Sequence, residues 1–395
     1  MLGDTSKNYL ILTLGVVFAY LAKTLISIDI SHIFWDLNVY DRGVSDYLKG
    51  DDPYRQNVSL LFIYHPYVLK AFVFLNDLFN IKIWFICFYF FATTFFIREL
   101  LFLTKTAQKT FSIQKENISF VFFAAALCFG GAGLLAIETG NVTIFLHFSL
   151  IASFFYAYRS GSIKGIASYA LLITFFSVIK PYLLAYVLLL PYLTRRNSIF
   201  YLGLLICLFC FLIWVSGSYL TPELYSNFMG ALHYQTLGKG DLGYSVFGLF
   251  VSITGAFYGI IFHSLIMLSY LLLIFLYAKV TRLDWRSSYF IPLLIIFIIF
   301  INPRMKVYDF PIAILFGFLH LWLFSISQLR ATKVIFASMM LAFVPTLFGL
   351  LKVLFGFEPS EILTNTRSFH ILGFIVVLSG IINAAYVQWR SVKSS

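Results

Sequence analysis

WDLNVYDRGVSDYLKGDDPYR, residues 35–55, gathers acids in a chain that has few of them. Six aspartates (Asp29, Asp36, Asp41, Asp46, Asp51 and Asp52) fall within residues 29–58, against three bases, Arg42, Lys49 and Arg55. Apolar residues recur at Ile33, Leu37, Tyr40, Val44, Tyr47 and Leu48, the one-sided spacing of a helix. The pattern predicts a short amphipathic helix on a membrane surface. Gly50 should end it, Asp51-Asp52-Pro53 should turn the chain, and Trp35 and the tyrosines suit headgroup level. Asp41, Asp46, Asp51 and Asp52 read as a solvated face. Asp36 stands apart. It follows Ile33-Phe34-Trp35, where an apolar run meets the surface helix, and a carboxylate that sheds part of its water there is better suited to take a proton.

The rest of the chain explains which surface this is. Of 395 residues 61% are hydrophobic, 20% aromatic and only 11% charged, and the mean hydropathy is +0.89. Soluble chains carry about 25% charged residues, and runs near 20 apolar residues are the length that crosses a bilayer. The net charge of +11 is spread in twos and threes between those runs. That spacing excludes a nucleic-acid surface and marks loops on the cytoplasmic side. Cys87, Cys128, Cys207 and Cys210 all lie within apolar runs and read as small core residues; the C-x-x-C at 207–210 has no histidine partners.

Apolar runs predict about twelve spans, over residues 9–26, 83–103, 118–136, 142–158, 166–178, 182–193, 199–216, 257–277, 289–301, 310–327, 334–355 and 369–389. The first reads as an uncleaved span with Lys23 snorkelling at its end. Residues 60–79 are apolar enough to cross as well, but His65, Pro66 and Lys70 are costly in lipid. A crossing there would also put the basic segment 105–115 outside. Residues 60–79 are therefore expected to be re-entrant or to lie on the outer surface. With that choice the basic segments 105–115, 159–164, 195–196, 279–286, 330–333 and 390–393 fall inside, as do both termini. The expectation is one all-α polytopic domain over 1–395 in the cell (inner) membrane, with residues 28–82 forming an outer, periplasm-facing segment.

Other features then fall outside. Lys180 stands between two short apolar runs, before Pro181. A lysine at that depth costs about 2.5–3.5 kcal/mol unless it is paired or hydrated, which makes it a candidate to bind an anion such as a phosphate. Asn302-Pro303-Arg304-Met305-Lys306-Val307-Tyr308-Asp309 breaks the positive-inside pattern. It is either a clamp in which Arg304 and Lys306 hold phosphate oxygens, with Tyr308 and Asp309 near the substrate, or a plain loop braced by Asp309. His65, within Tyr64-His65-Pro66-Tyr67, is either a hydrogen-bonded structural residue or a site member. Glu138-Thr139-Gly140-Asn141 reads as a helix cap and turn or as part of the site. His233, in the 216–244 loop, fits sugar recognition and is equally ordinary there. No nucleophile elbow, phosphate loop, dinucleotide fingerprint or D-x-D pair occurs in a credible setting, so neither a metal nor a cofactor is called for.

Asp36-Leu37-Asn38-Val39-Tyr40, then Leu48-Lys49-Gly50-Asp51-Asp52-Pro53-Tyr54, then Phe62-Ile63-Tyr64-His65-Pro66 resemble the opening motifs of the C-type glycosyltransferases. Within them the likeness is to family 87, the polyprenol-phosphate-mannose-dependent alpha-1,2-mannosyltransferases. Gly140-Asn141 and Lys180-Pro181 also fall where similar residues recur in that family. The resemblance implies a C-type bundle with amphipathic helices in the first outer loop and a catalytic base at Asp36. It also implies metal-independent, inverting transfer of a hexose from a lipid-linked sugar monophosphate. Tyr40, Tyr54, Tyr64, His65, Asn141, His233, Tyr308 and Asp309 become candidate substrate contacts, and Lys180, Arg304 and Lys306 candidate partners of the donor phosphate. The partners would be a polyprenyl-phosphate sugar, a lipid-linked or glycan acceptor and membrane lipid. Two other classes compete. A transporter or flippase of lipid-linked oligosaccharide predicts internal repeats and charges within spans; a polymerase or ligase predicts a long late outer loop.

Overall fold

The computed structural model describes residues 11, 13–15, 18, 34–58, 60–111, 125, 139–194, 196–238, 245–281, 284–306, 309–320 and 390. The expected spans at 334–355 and 369–389, nearly all of 9–26 and 118–136, residues 321–327 of the span expected at 310–327, and Cys128, Glu138 and Tyr308 lie outside the described residues. Among the described residues every regular element is helical. The chain divides into two compact units, one built from Ser31–Leu101 and Ile137–Leu242, the other from the remainder.

The first unit begins with α1, Trp35–Lys49, within the expected loop. Asp36 in its first turn and Lys49 in its last suit the helix dipole, and Gly50, at φ 80°, ends it in the left-handed conformation. Leu37, Tyr40 and Val44 are buried in one stripe. The stripe does not face lipid, as the sequence suggested. Protein covers it: the Phe62 ring lies so close over Gly43 that a Cβ there would sit 2.5 Å from it, and Tyr64, Phe72 and Phe85 surround the Tyr40 ring. Trp35 and Leu48 remain exposed. Asp46 corrects the reading of a solvated face, since it is 4% exposed and bound by Arg55 at 3.1 Å. The Asp52-Pro53 turn folds Arg55 back onto it, a contact that helical periodicity alone cannot reveal.

Residues 60–65 are irregular, and α2 follows over Pro66–Leu78. Its 13 residues span about 20 Å, too short to cross a hydrocarbon core of about 30 Å. The long helix α3, Ile81–Phe111, starts in this unit. Then come α4, Val142–Ser160, and α5, Ile163–Ile179. Lys180 is extended (φ −137°), as the residue before a proline prefers. Pro181 opens a 3₁₀ helix, Pro181–Tyr192, so the chain is broken at Lys180 where the sequence placed the break. α6, Ser198–Leu220, and α7, Pro222–His233, complete the unit. α4 is its centre, with 83% of its apolar window buried, whereas α6 has 17% buried.

The second unit contains α8, Val246–Thr254, α9, Ala256–Thr281, α10, Ile291–Phe300, and α11, Phe310–Leu319. Among the described residues four helices are long and apolar enough to cross a membrane: Ile81–Leu103 within α3, α4, α6, and Ala256–Leu276 within α9. The helices over 163–179, 181–192 and 288–300 are apolar but shorter. These are the marks of a helical, membrane-embedded protein. Cys210 is buried, with its sulfur 3.8 Å from the Thr174 carbonyl, as expected of a small core residue, but Cys207 is half-buried and Cys87 is exposed, which corrects the core reading for Cys87.

Glu99 on α3 is 1% exposed, and Arg159 in the last turn of α4 grips both of its carboxylate oxygens at 3.0 and 3.3 Å. Arg159→Ala leaves that buried carboxylate with only Arg98, at 3.8 Å, and should destabilise the protein by about 1–3 kcal/mol. The double change Glu99→Leu with Arg159→Leu should recover most of the loss. Thermal unfolding of both variants in detergent checks this pair of expectations.

Candidate active site

Two left-handed residues meet at the start of the site. Phe34, just before α1, has φ 63°, and Gly140, just before α4, has φ 67°. Phe34 is the one non-glycine residue with positive φ among those described, a conformation that costs of order 1–3 kcal/mol. A Cβ on Gly140 would lie 3.0 Å from the Leu37 side chain and 3.3 Å from the Phe34 backbone. Glycine is therefore required there by both its backbone and its surroundings. Tyr89 on α3 donates its hydroxyl to the Gly140 carbonyl.

That contact brings Asp36 to Asn141. The Asn141 amide donates to Asp36 Oδ2 at 2.7 Å, and its Oδ1 accepts from the Thr143 N–H at 3.0 Å, capping α4. Asn141 thus meets the cap reading of residues 138–141 and touches the candidate base as well. Asp36 is half-buried in the first turn of α1.

One turn along α1, Tyr40 is 2% exposed. It accepts the Tyr64 hydroxyl at 3.0 Å, and the Val142 N–H points to it at 3.5 Å. Burial first, then neighbouring Tyr64, holds its hydroxyl well above the ordinary tyrosine range. The Lys180 ammonium stands over the Tyr64 ring, 4.9 Å from its centre, a cation–π arrangement. Asp36, Tyr40, Tyr64, Asn141 and Lys180 therefore form one connected group within the first unit.

An apolar cavity of about 380 Å³ adjoins it, between α2, α3, α4 and α5. Phe72 and Phe85, which touch Tyr40, line it, as do Tyr67, Val142, Phe176 and Ile179. Val142 follows Asn141 and Ile179 precedes Lys180, so the cavity is lined by the immediate chain neighbours of two members of the polar group.

Other candidates support the fold. The Tyr54 ring is 1% exposed, its hydroxyl donates to the Tyr64 carbonyl at 2.8 Å, and burial raises its pKa, with Asp52 adding to the effect. Tyr40 and Tyr54 are thus core residues behind the site, a correction to their reading as substrate contacts. His65 is 1% exposed. Its Nδ1 caps α2 by accepting from the Tyr67 N–H at 3.3 Å, and Trp214, Tyr225 and Phe228 enclose its ring. The structural reading of His65 is the one the geometry matches. His233 is exposed at the end of α7.

In the second unit Asp309 is 1% exposed. Its Oδ2 accepts from the Lys306 N–H at 2.8 Å and from the Asn302 amide at 3.2 Å. Asn302 Oδ1 accepts from the Arg304 N–H at 3.0 Å. Asp309 is thus the brace of this turn rather than a substrate contact, and Arg304 and Lys306 are carried on it. The sequence reading missed Phe34 and Tyr89: neither residue type nor spacing marks a left-handed phenylalanine or a tyrosine aimed at a distant carbonyl. Among the described residues no three His, Cys, Asp or Glu side chains gather as a metal site.

Set against known proteins, the chain matches no family model and no curated protein. Chemically, the group offers a carboxylate that can take a proton, a nearby cation and an apolar chamber.

His65 carries a test of the geometry. Burial, opposed more weakly by the Trp214 backbone, lowers its pKa below the ordinary 6.5. Below that value the unfolded chain takes a proton that the folded one resists, so stability falls as the medium is acidified. His65→Asn keeps a capping group. It should flatten the dependence of melting temperature on pH below about 6.5, read by scanning fluorimetry.

Proposed function

We propose that the chain is a membrane glycosyltransferase. It moves a hexose, mannose by the resemblance, from a polyprenyl-phosphate sugar to a lipid or glycan acceptor on the outer face of the membrane. The topology that goes with this reading is a C-type bundle of about twelve spans, with both termini inside. What carries it is the company Asp36 keeps: a half-buried carboxylate bonded to Asn141, with Tyr40 one turn along α1 bonded to Tyr64, Lys180 over the Tyr64 ring, and an apolar cavity lined by Val142 and Ile179, the neighbours of Asn141 and Lys180. A lipid-linked sugar phosphate calls for those three things together, a base for the acceptor, a cation for the phosphate and an apolar chamber for the tail.

In the proposed step Asp36 takes the proton of the acceptor hydroxyl as its oxygen attacks the anomeric carbon from the face opposite the phosphate. A new carbon–oxygen bond forms with inversion. The bond between the anomeric carbon and the phosphate oxygen breaks, and its electron pair leaves with polyprenyl phosphate, whose added negative charge Lys180 offsets. No metal takes part. Arg304 and Lys306 belong to the other unit, and the reading does not rest on them.

The test is transfer of radiolabelled sugar from polyprenyl phosphate to a membrane lipid or glycan extract, with EDTA present. The wild type should transfer. Asp36→Asn should lower the rate by about 10²–10⁴-fold, the usual contribution of a general base, while donor binding persists. Lys180→Gln should raise the donor concentration needed for half-maximal rate. Equal transfer by the wild type and Asp36→Asn removes Asp36 from the mechanism. A folded wild type inert with several donors removes the enzyme reading in favour of a transporter of lipid-linked oligosaccharide.

A further inference from the structure

We infer that Asn141 is a positioning residue that holds the Asp36 carboxylate in its charged form and in a single orientation. An asparagine amide can face either way, but here the choice is forced. Oδ1 accepts from the Thr143 N–H at 3.0 Å, so the NH₂ group faces Asp36 Oδ2 at 2.7 Å; the reverse orientation would set two oxygens against each other. A donor at that distance favours the ionised carboxylate.

The donor itself is held from several sides. The Asn141 N–H donates to Thr139 Oγ1 at 3.2 Å. Gly140 is locked by its left-handed backbone and by Phe34 and Leu37, and Tyr89 binds its carbonyl. Asn141 is therefore not a free side chain awaiting a sugar, the role the resemblance implied, but a fixed support that also caps α4. The titratable groups around Asp36 are Tyr40 on α1, Tyr64 beyond it, Tyr89 on α3 and, across the Tyr64 ring, Lys180. Tyrosine and lysine ordinarily titrate near about 10, well above the range in which a carboxylate charges. Their charges are therefore constant through that range, and the Asn141 amide is bonded to the carboxylate itself.

The catalytic meaning of this support rests on the glycosyltransferase reading, but its first measurement does not. The ionisation of Asp36 is followed in the full-length protein in nanodiscs by infrared difference spectroscopy, with Asp36→Asn identifying the carboxylate band. Asn141→Ser keeps a helix cap and removes the donor to Asp36. It should raise the midpoint of Asp36 ionisation by about one to two pH units, the equivalent of one hydrogen bond to a charged group. Asn141→Asp keeps the cap too and sets a second carboxylate against the first, so the pair should share a proton and the midpoint should rise further. In the transfer assay the acid limb of the pH profile should move upward by the same amount. Asn141→Ser should regain most of the wild-type rate in alkaline medium, whereas Asp36→Asn should not.

An unchanged midpoint in folded Asn141→Ser overturns the inference, even where the wild type transfers sugar. Should Asn141→Ser fail to fold, an unchanged midpoint in Asn141→Asp overturns it equally. A raised midpoint in a protein whose wild type transfers nothing supports the hold on Asp36 and sinks the glycosyltransferase reading instead.

Discussion

The contact between the Phe34 and Gly140 backbones is the constraint on which the polar group depends. Residues 34 and 140 are far apart in sequence, and each adopts a left-handed conformation where they meet. Only a glycine fits the second position. The strain at the first persists because the surrounding packing over-determines it. From that contact follow the direction of α1, the start of α4 and the short bond between their first turns. Backbone geometry thus fixes where the Asp36 side chain stands, and the side chain stays half-buried.

Behind that edge lies an aromatic layer. Tyr40, Tyr64, Phe62, Phe72 and Phe85 meet in edge-on and tilted contacts with centroids 4.7–6.4 Å apart. Such contacts add roughly 0.5–1.5 kcal/mol each to plain burial. The two tyrosine hydroxyls in the layer are paired with each other, which lessens the cost of polar atoms deep in it. The layer lines the cavity through Phe72 and Phe85 and carries Lys180 over the Tyr64 ring.

Much of this was legible before any coordinates. α1 could be read because its apolar residues recur on one side and Gly50 stops it. The break at Lys180 could be read because Pro181 forbids a helical residue before it. Asp36 stood out because it is an acid at an apolar junction. What could not be read depends on contacts between distant segments. Asp46 looked solvated because nothing local shows Arg55 returning to it. Tyr40 and Tyr54 were expected at headgroup level, and by the resemblance as substrate contacts, because an aromatic in a polar loop has the same local signature whether it faces inward or outward. The lipid-facing reading of α1 failed for the same reason: an apolar stripe tells that something covers it, not what.

The 3₁₀ helix after Lys180 has the geometry of a ruler rather than a screw. Leu183, Tyr186, Leu189 and Tyr192 are all buried and recur every third residue, so they fall in a straight line along one edge at about 2 Å of rise per residue. On that line the Tyr186 hydroxyl meets His147 at 2.8 Å, and its carbonyl accepts the Tyr169 hydroxyl at 2.8 Å. Rewound as an α-helix, the same 12 residues would be about 6 Å shorter. Successive members of the line would also drift about 60° around the axis. A single inserted residue would turn the whole edge by a third of a revolution. The segment is therefore intolerant of changes in length, although its apolar composition makes it look permissive, and its winding sets how far Lys180 stands from the base of α4.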